Sequence, residues 1–253
     1  MYKYSVLMYN FNNYEILREP EEIDPECEYI YVTDNENLKS EKWKIIVDKE
    51  LEGLSVFDKC YSVRFNLFKY STTPVCIYVD GSIQIHKSLR KFYDAFIESK
   101  CDVGLNIHPS RNNVYDEYNA WLKIRNYSKL QAAKCMVMFK AAEYNPKYKG
   151  LYQGTVRICK NTELNKAIDE FTFNTLKKLG TENEIERLDQ TIYSFVINKF
   201  FNDIKIFAFS QQVFQSNYMN WCKHGGTYIH PYNKDNDKDG WVLGNLTKLY
   251  HLV

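Results

Sequence analysis

The 253-residue chain has no excess of either charge: 33 Lys and Arg stand against 32 Asp and Glu. A broad electrostatic grip on nucleic acid needs a basic face, so no nucleic-acid partner is expected. It has no apolar run of transmembrane length. The short apolar stretch at Tyr4–Tyr9 is cut by Asn10 and Asn12, too early for a secretory leader. A cytoplasmic protein is therefore expected, associated at most peripherally with the inner face of a membrane. None of the seven cysteines pairs at CxxC spacing, and their number is odd. That argues against a disulfide framework or a thiolate zinc site and for buried thiols. Internal repeats and low-complexity linkers are also missing. One domain over 1–253 is expected, with a nucleotide-binding half to about residue 110 and an acceptor-side half beyond it.

The chain does hold a large apolar and aromatic stock: 45% hydrophobic residues, with 21 Tyr, 15 Phe and 4 Trp. Short β-branched and aromatic runs alternate with longer helical patterns. This predicts an α/β domain with a mixed, mostly parallel central sheet flanked by helices. Strands are expected at Tyr4–Tyr9, Glu28–Thr33, Lys44–Val47, Val75–Val79, Val103–Ile107, Thr155–Cys159, Lys205–Phe209 and Thr227–Ile229. Helices are expected at Phe57–Lys69, Lys87–Glu98, Val114–Asn126, Leu130–Phe139, Glu163–Leu179 and Glu184–Phe200. In such sheets ligands bind beyond the carboxyl ends of the strands. The polar tips there are Asn10, Asp34, Asp48, Asp80 and His108.

The strongest single feature is Asp80-Gly81-Ser82 at the end of the apolar run from Val75. A carboxylate at a buried strand end is a hard oxygen ligand for Mg²⁺ or Mn²⁺, and such a cation can neutralise a departing diphosphate. A hairpin turn would account for the same three residues. Asp34, after the second strand, suits a ribose hydroxyl or a base N–H, or a turn cap. Arg64 falls on the apolar stripe of its helix and needs an anionic partner, either a carboxylate or a diphosphate with Lys69 in support. His108 ends the next strand and Arg111 begins the loop after it, with Glu117 opening a helix. Gln153 and Gly154 lead into a strand bearing Arg157. Asp189 and Gln190 follow at the head of an aromatic helix, where Asp189 suits sugar hydroxyls or a helix N-terminus. His230 and Lys234 come last, an imidazole for a metal shell and an ammonium for phosphate. The polar, turn-rich stretch Asn233–Asp239 lacks the Gly and Glu of a calcium-binding loop.

In order, YVTD, the Arg64/Lys69 helix, YVDGSI, HPSR with its following Glu, the Gln-Gly-entered strand and RLDQ resemble the TOD1/MUCI70 glycosyltransferase-like family. More distantly, Asp80, Asp189-Gln190 and His230–Lys234 resemble glycosyltransferase family 8. The resemblance implies a GT-A fold, a nucleoside-diphosphate sugar donor, a glycan or lipid-linked acceptor and a divalent metal (Mn²⁺ or Mg²⁺). By position it makes Asp189 and Gln190 the catalytic pair and Asp80 and His230 the metal ligands. Asp34, Arg64, Lys69, Asp80, Ser82, His108, Arg111, Gln153 and Lys234 become donor-binding residues. Ser82 replaces the second carboxylate of the usual DxD pattern. That departure leaves open a non-catalytic nucleotide-sugar or glycan-binding module. A nucleotidyltransferase would carry a Gly-rich basic loop after its first strand, where this chain has Asn10–Asn13.

Overall fold

A computed structural model describes residues 1–124, 129–180, 188–210 and 218–221. The expected strand Thr227–Ile229, the start of the expected helix at Glu184, His230 and Lys234 lie outside these residues, as does the Asn233–Asp239 run.

Seven strands form one sheet in the order β3-β2-β1-β4-β7-β6-β8. They are β1 (Tyr4–Asn10), β2 (Cys27–Thr33), β3 (Lys44–Val47), β4 (Val75–Val79), β6 (Val103–Ile107), β7 (Tyr152–Lys160) and β8 (Ile206–Ser210). β7 runs antiparallel to both of its neighbours, and every other pairing is parallel. The fold is thus the expected α/β class with a mixed, mostly parallel sheet. A separate antiparallel pair joins β5 (Ile83–Ile85) to β9 (Met219–Trp221).

β4 is buried along its whole length because both faces of the sheet are covered. Val75, Ile77 and Val79 face one core with Phe92 and Phe96 of α3 (Arg90–Ser99). Cys76 and Tyr78 face the other core. That second core holds α1 (Val56–Arg64), α2 (Leu67–Tyr70), α4 (Val114–Ile124), α5 (Lys129–Ala141), α6 (Glu163–Leu179) and α7 (Leu188–Phe200). Period-two alternation puts Asp80, one step past β4, on the same side as Tyr78.

The single helix expected at Phe57–Lys69 is two. Ser55 caps α1 by accepting the Asp58 N–H at 3.1 Å. The helix stops at Arg64, whose carbonyl accepts a bond from the Arg157 guanidinium at 2.6 Å. Asn66 then breaks the path, with φ −142°, before α2 begins. A cation on the last carbonyl of a helix is favoured by the unsatisfied acceptors there. Asp169 of α6 grips the same guanidinium, so β7, α6 and the end of α1 are tied together.

Candidate active site

The strand order reverses beside β1: β2 and β3 lie on one side of it and β4 on the other. A crevice opens at the carboxyl ends of such a pair, and Asp80 stands there. Its N–H continues the β4–β7 ladder to the Thr155 carbonyl at 2.9 Å, and its carbonyl closes a turn onto the Ile83 N–H at 3.0 Å. Gly81 is required in that turn, since a Cβ would lie 2.8 Å from the Tyr9 carbonyl oxygen.

Arg64 enters from the end of α1. One guanidinium nitrogen donates to Asp80 Oδ1 at 2.7 Å and to the Tyr78 hydroxyl at 2.8 Å, and the other donates to Asp189 at the head of α7. The Tyr78 hydroxyl also donates to Asp80 Oδ1. Side-chain exposure is 14% for Arg64, 25% for Asp80 and 8% for Asp189. Burial pushes the Asp80 carboxyl above the ordinary range, against the pull of the Arg64 guanidinium. Burial works against the Arg64 charge too, but the surrounding tyrosines and carboxylates keep it firmly protonated. The guanidinium carbon also lies 5.0 Å from the centre of the Tyr78 ring.

Gly154, at the start of the reversed strand, lies directly against this cluster. A Cβ there would sit 2.9 Å from Asp189 Oδ2 and 3.1 Å from Arg64 Nη1. The cleft above is lined by Arg64, Tyr78, Gln153, Asp189, Gln190 and Tyr193 among others; it is open to solvent and has a cavity volume of about 20 Å³. Tyr152 and Phe65 add apolar faces to its wall.

A second polar group adjoins the first through α7. Gln190 donates its amide N–H to Glu117, which is 0% exposed and also accepts from Arg111. His108, at the end of β6, accepts the backbone N–H groups of Ser110 and Arg111 on Nδ1 at 3.2 and 3.1 Å. Burial and the Arg111 charge lower its pKa, against the opposing pull of Glu117. Gln153 pairs with Asn106 at 3.3 Å.

Further along the edge, Asp34 accepts from Lys59 of α1 and from the Asn12 N–H, both at 2.9 Å. Burial opposes the Asp34 charge, but these bonds hold its carboxyl below the usual range.

The structure therefore brings together Arg64, Asp80, Asp189, Gln190 and Gln153, with His108 and Arg111 behind Gln190. Ser82 lies in the Asp80 turn. Lys69 is elsewhere: it bonds Asp48 at 2.6 Å and Glu50 at 2.8 Å beside β3. Asn10 is a loop anchor, bonded twice to the Glu15 backbone, and Arg157 is a structural clamp. Sequence reasoning passed over Tyr78 and Lys59 as site residues. Tyr78 had a readable signal, since it shares the strand face of Asp80; Lys59 had none beyond lying on the same helix as Arg64.

No group of three or more His, Cys, Asp or Glu among the described residues is arranged to hold a metal. Asp80 and Asp189 are both already bonded to the Arg64 guanidinium, and Asp80 Oδ1 also accepts from Tyr78. A protein-made cage is therefore not present in the described residues. The donor set suits at most a cation that arrives on phosphate oxygens and keeps its waters. The described helices include none long and apolar enough to cross a membrane.

No family model matches the chain, and no curated protein sequence matches it. The fold is similar to that of mouse xyloside xylosyltransferase 1 in its apo form, with a TM-score of 0.42 and 11% identity. That match covers 78% of this chain and 82% of the other.

Proposed function

We propose that this chain is a GT-A-type glycosyltransferase that moves a sugar from a nucleoside-diphosphate donor to a hydroxyl of a glycan or lipid-linked acceptor, in surface polysaccharide synthesis. The observation that carries this reading is the convergence of Asp80, Arg64 and Asp189 at the crevice where the strand order reverses. Arg64 is the fixed cation for the diphosphate, and Asp34 at the end of β2 meets the ribose or the base. Asp189 and Gln190 face the donor sugar and the acceptor. In the transfer, the bond from the anomeric carbon to the β-phosphate oxygen breaks, and its electron pair leaves with the nucleoside diphosphate. The acceptor oxygen bonds to that carbon, and its proton passes to the released diphosphate or to solvent.

The formal charges of Arg64, Asp80 and Asp189 sum to −1. A diphosphate meets net repulsion there unless a cation accompanies it, so donor binding should depend on Mg²⁺ or Mn²⁺. Asp80 is the described residue that faces such a cation; His230 and Lys234 remain proposed contributors.

A second reading is favoured by one observation. Arg64 is already paired with both carboxylates, as it would be in a non-catalytic nucleotide-sugar or glycan-binding module. Thermal-shift screening against UDP-, GDP- and CMP-sugars, with and without Mn²⁺, followed by assay of free nucleotide release, separates the two. Transfer predicts Mn²⁺-dependent stabilisation and slow diphosphate release that Asp80→Ala abolishes. Tight binding without release across the panel selects the module, and no stabilisation by any donor removes both.

A further inference from the structure

Glu117 is a fully buried carboxylate that the transfer chemistry does not use directly. One of its oxygens accepts from Arg111 and the other accepts from Gln190. Its hydrogen-bonding role toward the Gln190 amide is fixed by chemistry. A carboxylate paired to a guanidinium offers only acceptors, so the amide must meet it with Nε2 and turn Oε1 away. Gln190 also lines the cleft beside Asp189, Gln153 and the aromatic walls of Tyr152 and Tyr193. With Nε2 committed to Glu117, the other polar atom of the amide is an acceptor, suited to an O–H donor. Aromatic faces beside an oriented acceptor match a sugar ring, which offers C–H faces and hydroxyls together.

We propose that Glu117 is a positioning residue that fixes Gln190 as the hydrogen-bond acceptor for a sugar hydroxyl in the cleft. This deepens the glycosyl-transfer reading and rests on it. His108 and Arg111 complete the support: Arg111 balances the buried carboxylate, and His108 Nδ1 accepts the backbone N–H groups that shape the loop. Losing the Glu117 charge frees the Gln190 amide to rotate and offer N–H to the cleft, which a hydroxyl can meet only as acceptor.

The test uses ¹⁵N-labelled full-length chain, titrated with UDP, GDP and the methyl glycosides of glucose, galactose and xylose. The Gln190 side-chain amide signal, assigned by its loss in Gln190→Ala, should lie downfield and exchange slowly in the wild type. Glu117→Gln should weaken binding of the responding glycoside tenfold or more and leave nucleoside-diphosphate affinity within twofold. The double variant should lose no more than Gln190→Ala alone, because both changes remove one interaction. Equal glycoside affinity in wild type and Glu117→Gln overturns the proposal, as do additive losses or an absence of glycoside binding by the wild type. An ordinary, fast-exchanging Gln190 amide overturns it whether or not Glu117→Gln folds. Failure of UDP and GDP to bind, with the glycoside pattern intact, supports the hydroxyl subsite and removes the transfer reading instead.

Discussion

Replacing Arg64 with Met tests whether the cleft is built around one shared cation. The substitution keeps the length and apolar stem of the side chain and deletes the guanidinium. In the native site that group donates to Asp80 and Tyr78 through one nitrogen and to Asp189 through the other, with all three charged side chains mostly out of solvent. Removing one partner of a buried ion pair strands the rest and costs about 3–5 kcal/mol. For a chain of this size that lowers Tm by roughly 6–20 °C. The pH dependence has a definite sign. Without Arg64, burial acts unopposed by that cation and raises the folded-state pKa of Asp80 further above its unfolded value. Stability in the variant is then greatest below the unfolded carboxylate range and is lost as pH rises through the raised folded value. The gap between wild type and Arg64→Met should therefore narrow in acid and be widest at neutral pH. Urea denaturation followed by tryptophan fluorescence, across pH 4.5 to 7.5, measures it. A penalty below about 1 kcal/mol, the scale of an exposed pair, or one that is the same at every pH, refutes the reasoning.

Two further outcomes follow from the same geometry. Gly154→Ala forces a methyl group to 2.9 Å from Asp189 Oδ2 and 3.1 Å from Arg64 Nη1, so it should cost about 1–3 kcal/mol by overpacking and abolish the donor-induced thermal shift; an unaltered shift would show that the Arg64–Asp189 pair does not serve the ligand. His108 is held below the usual imidazole range by burial and by Arg111, so its contribution to stability is complete above about pH 6.5 and is lost as pH falls through its lowered folded value. His108→Gln should flatten the stability–pH curve in that window, and an unchanged slope in urea titrations would count against it.

Much of the fold was legible because burial on both faces leaves an unbroken apolar run with polar ends. The bounds of β3, β4, β6 and α6 are those the residue pattern predicts. The break between α1 and α2 was not legible, because it depends on Arg157 and Asp169, residues more than ninety positions away, that hold the Arg64 carbonyl. Past that break, α2 carries Lys69 to Asp48 and Glu50. β9, the partner of β5, escaped notice because three residues carry too little periodicity to read. Within the site, Asp80, Arg64 and Asp189 were each visible as a polar residue in an apolar setting, but nothing local said that they satisfy one another.

The direction of β7 decides whether a site exists, and direction leaves no mark in an apolar pattern. Were β7 parallel to β4, Tyr152–Gly154 would lie at the edge opposite the crevice and Lys160 would stand beside Asp80. Because β7 is reversed, Gly154 starts at the crevice, and the strand delivers the chain to the far edge at Lys160. α6 then carries it back, so that α7 begins beside Arg64 with Asp189 and Gln190 in its first turn. The missing side chain at Gly154 leaves the space that the Arg64–Asp189 contact occupies. One reversed strand thus supplies both the opening for the ion pair and the helix that brings its second carboxylate, which is why residues 125 positions apart meet there.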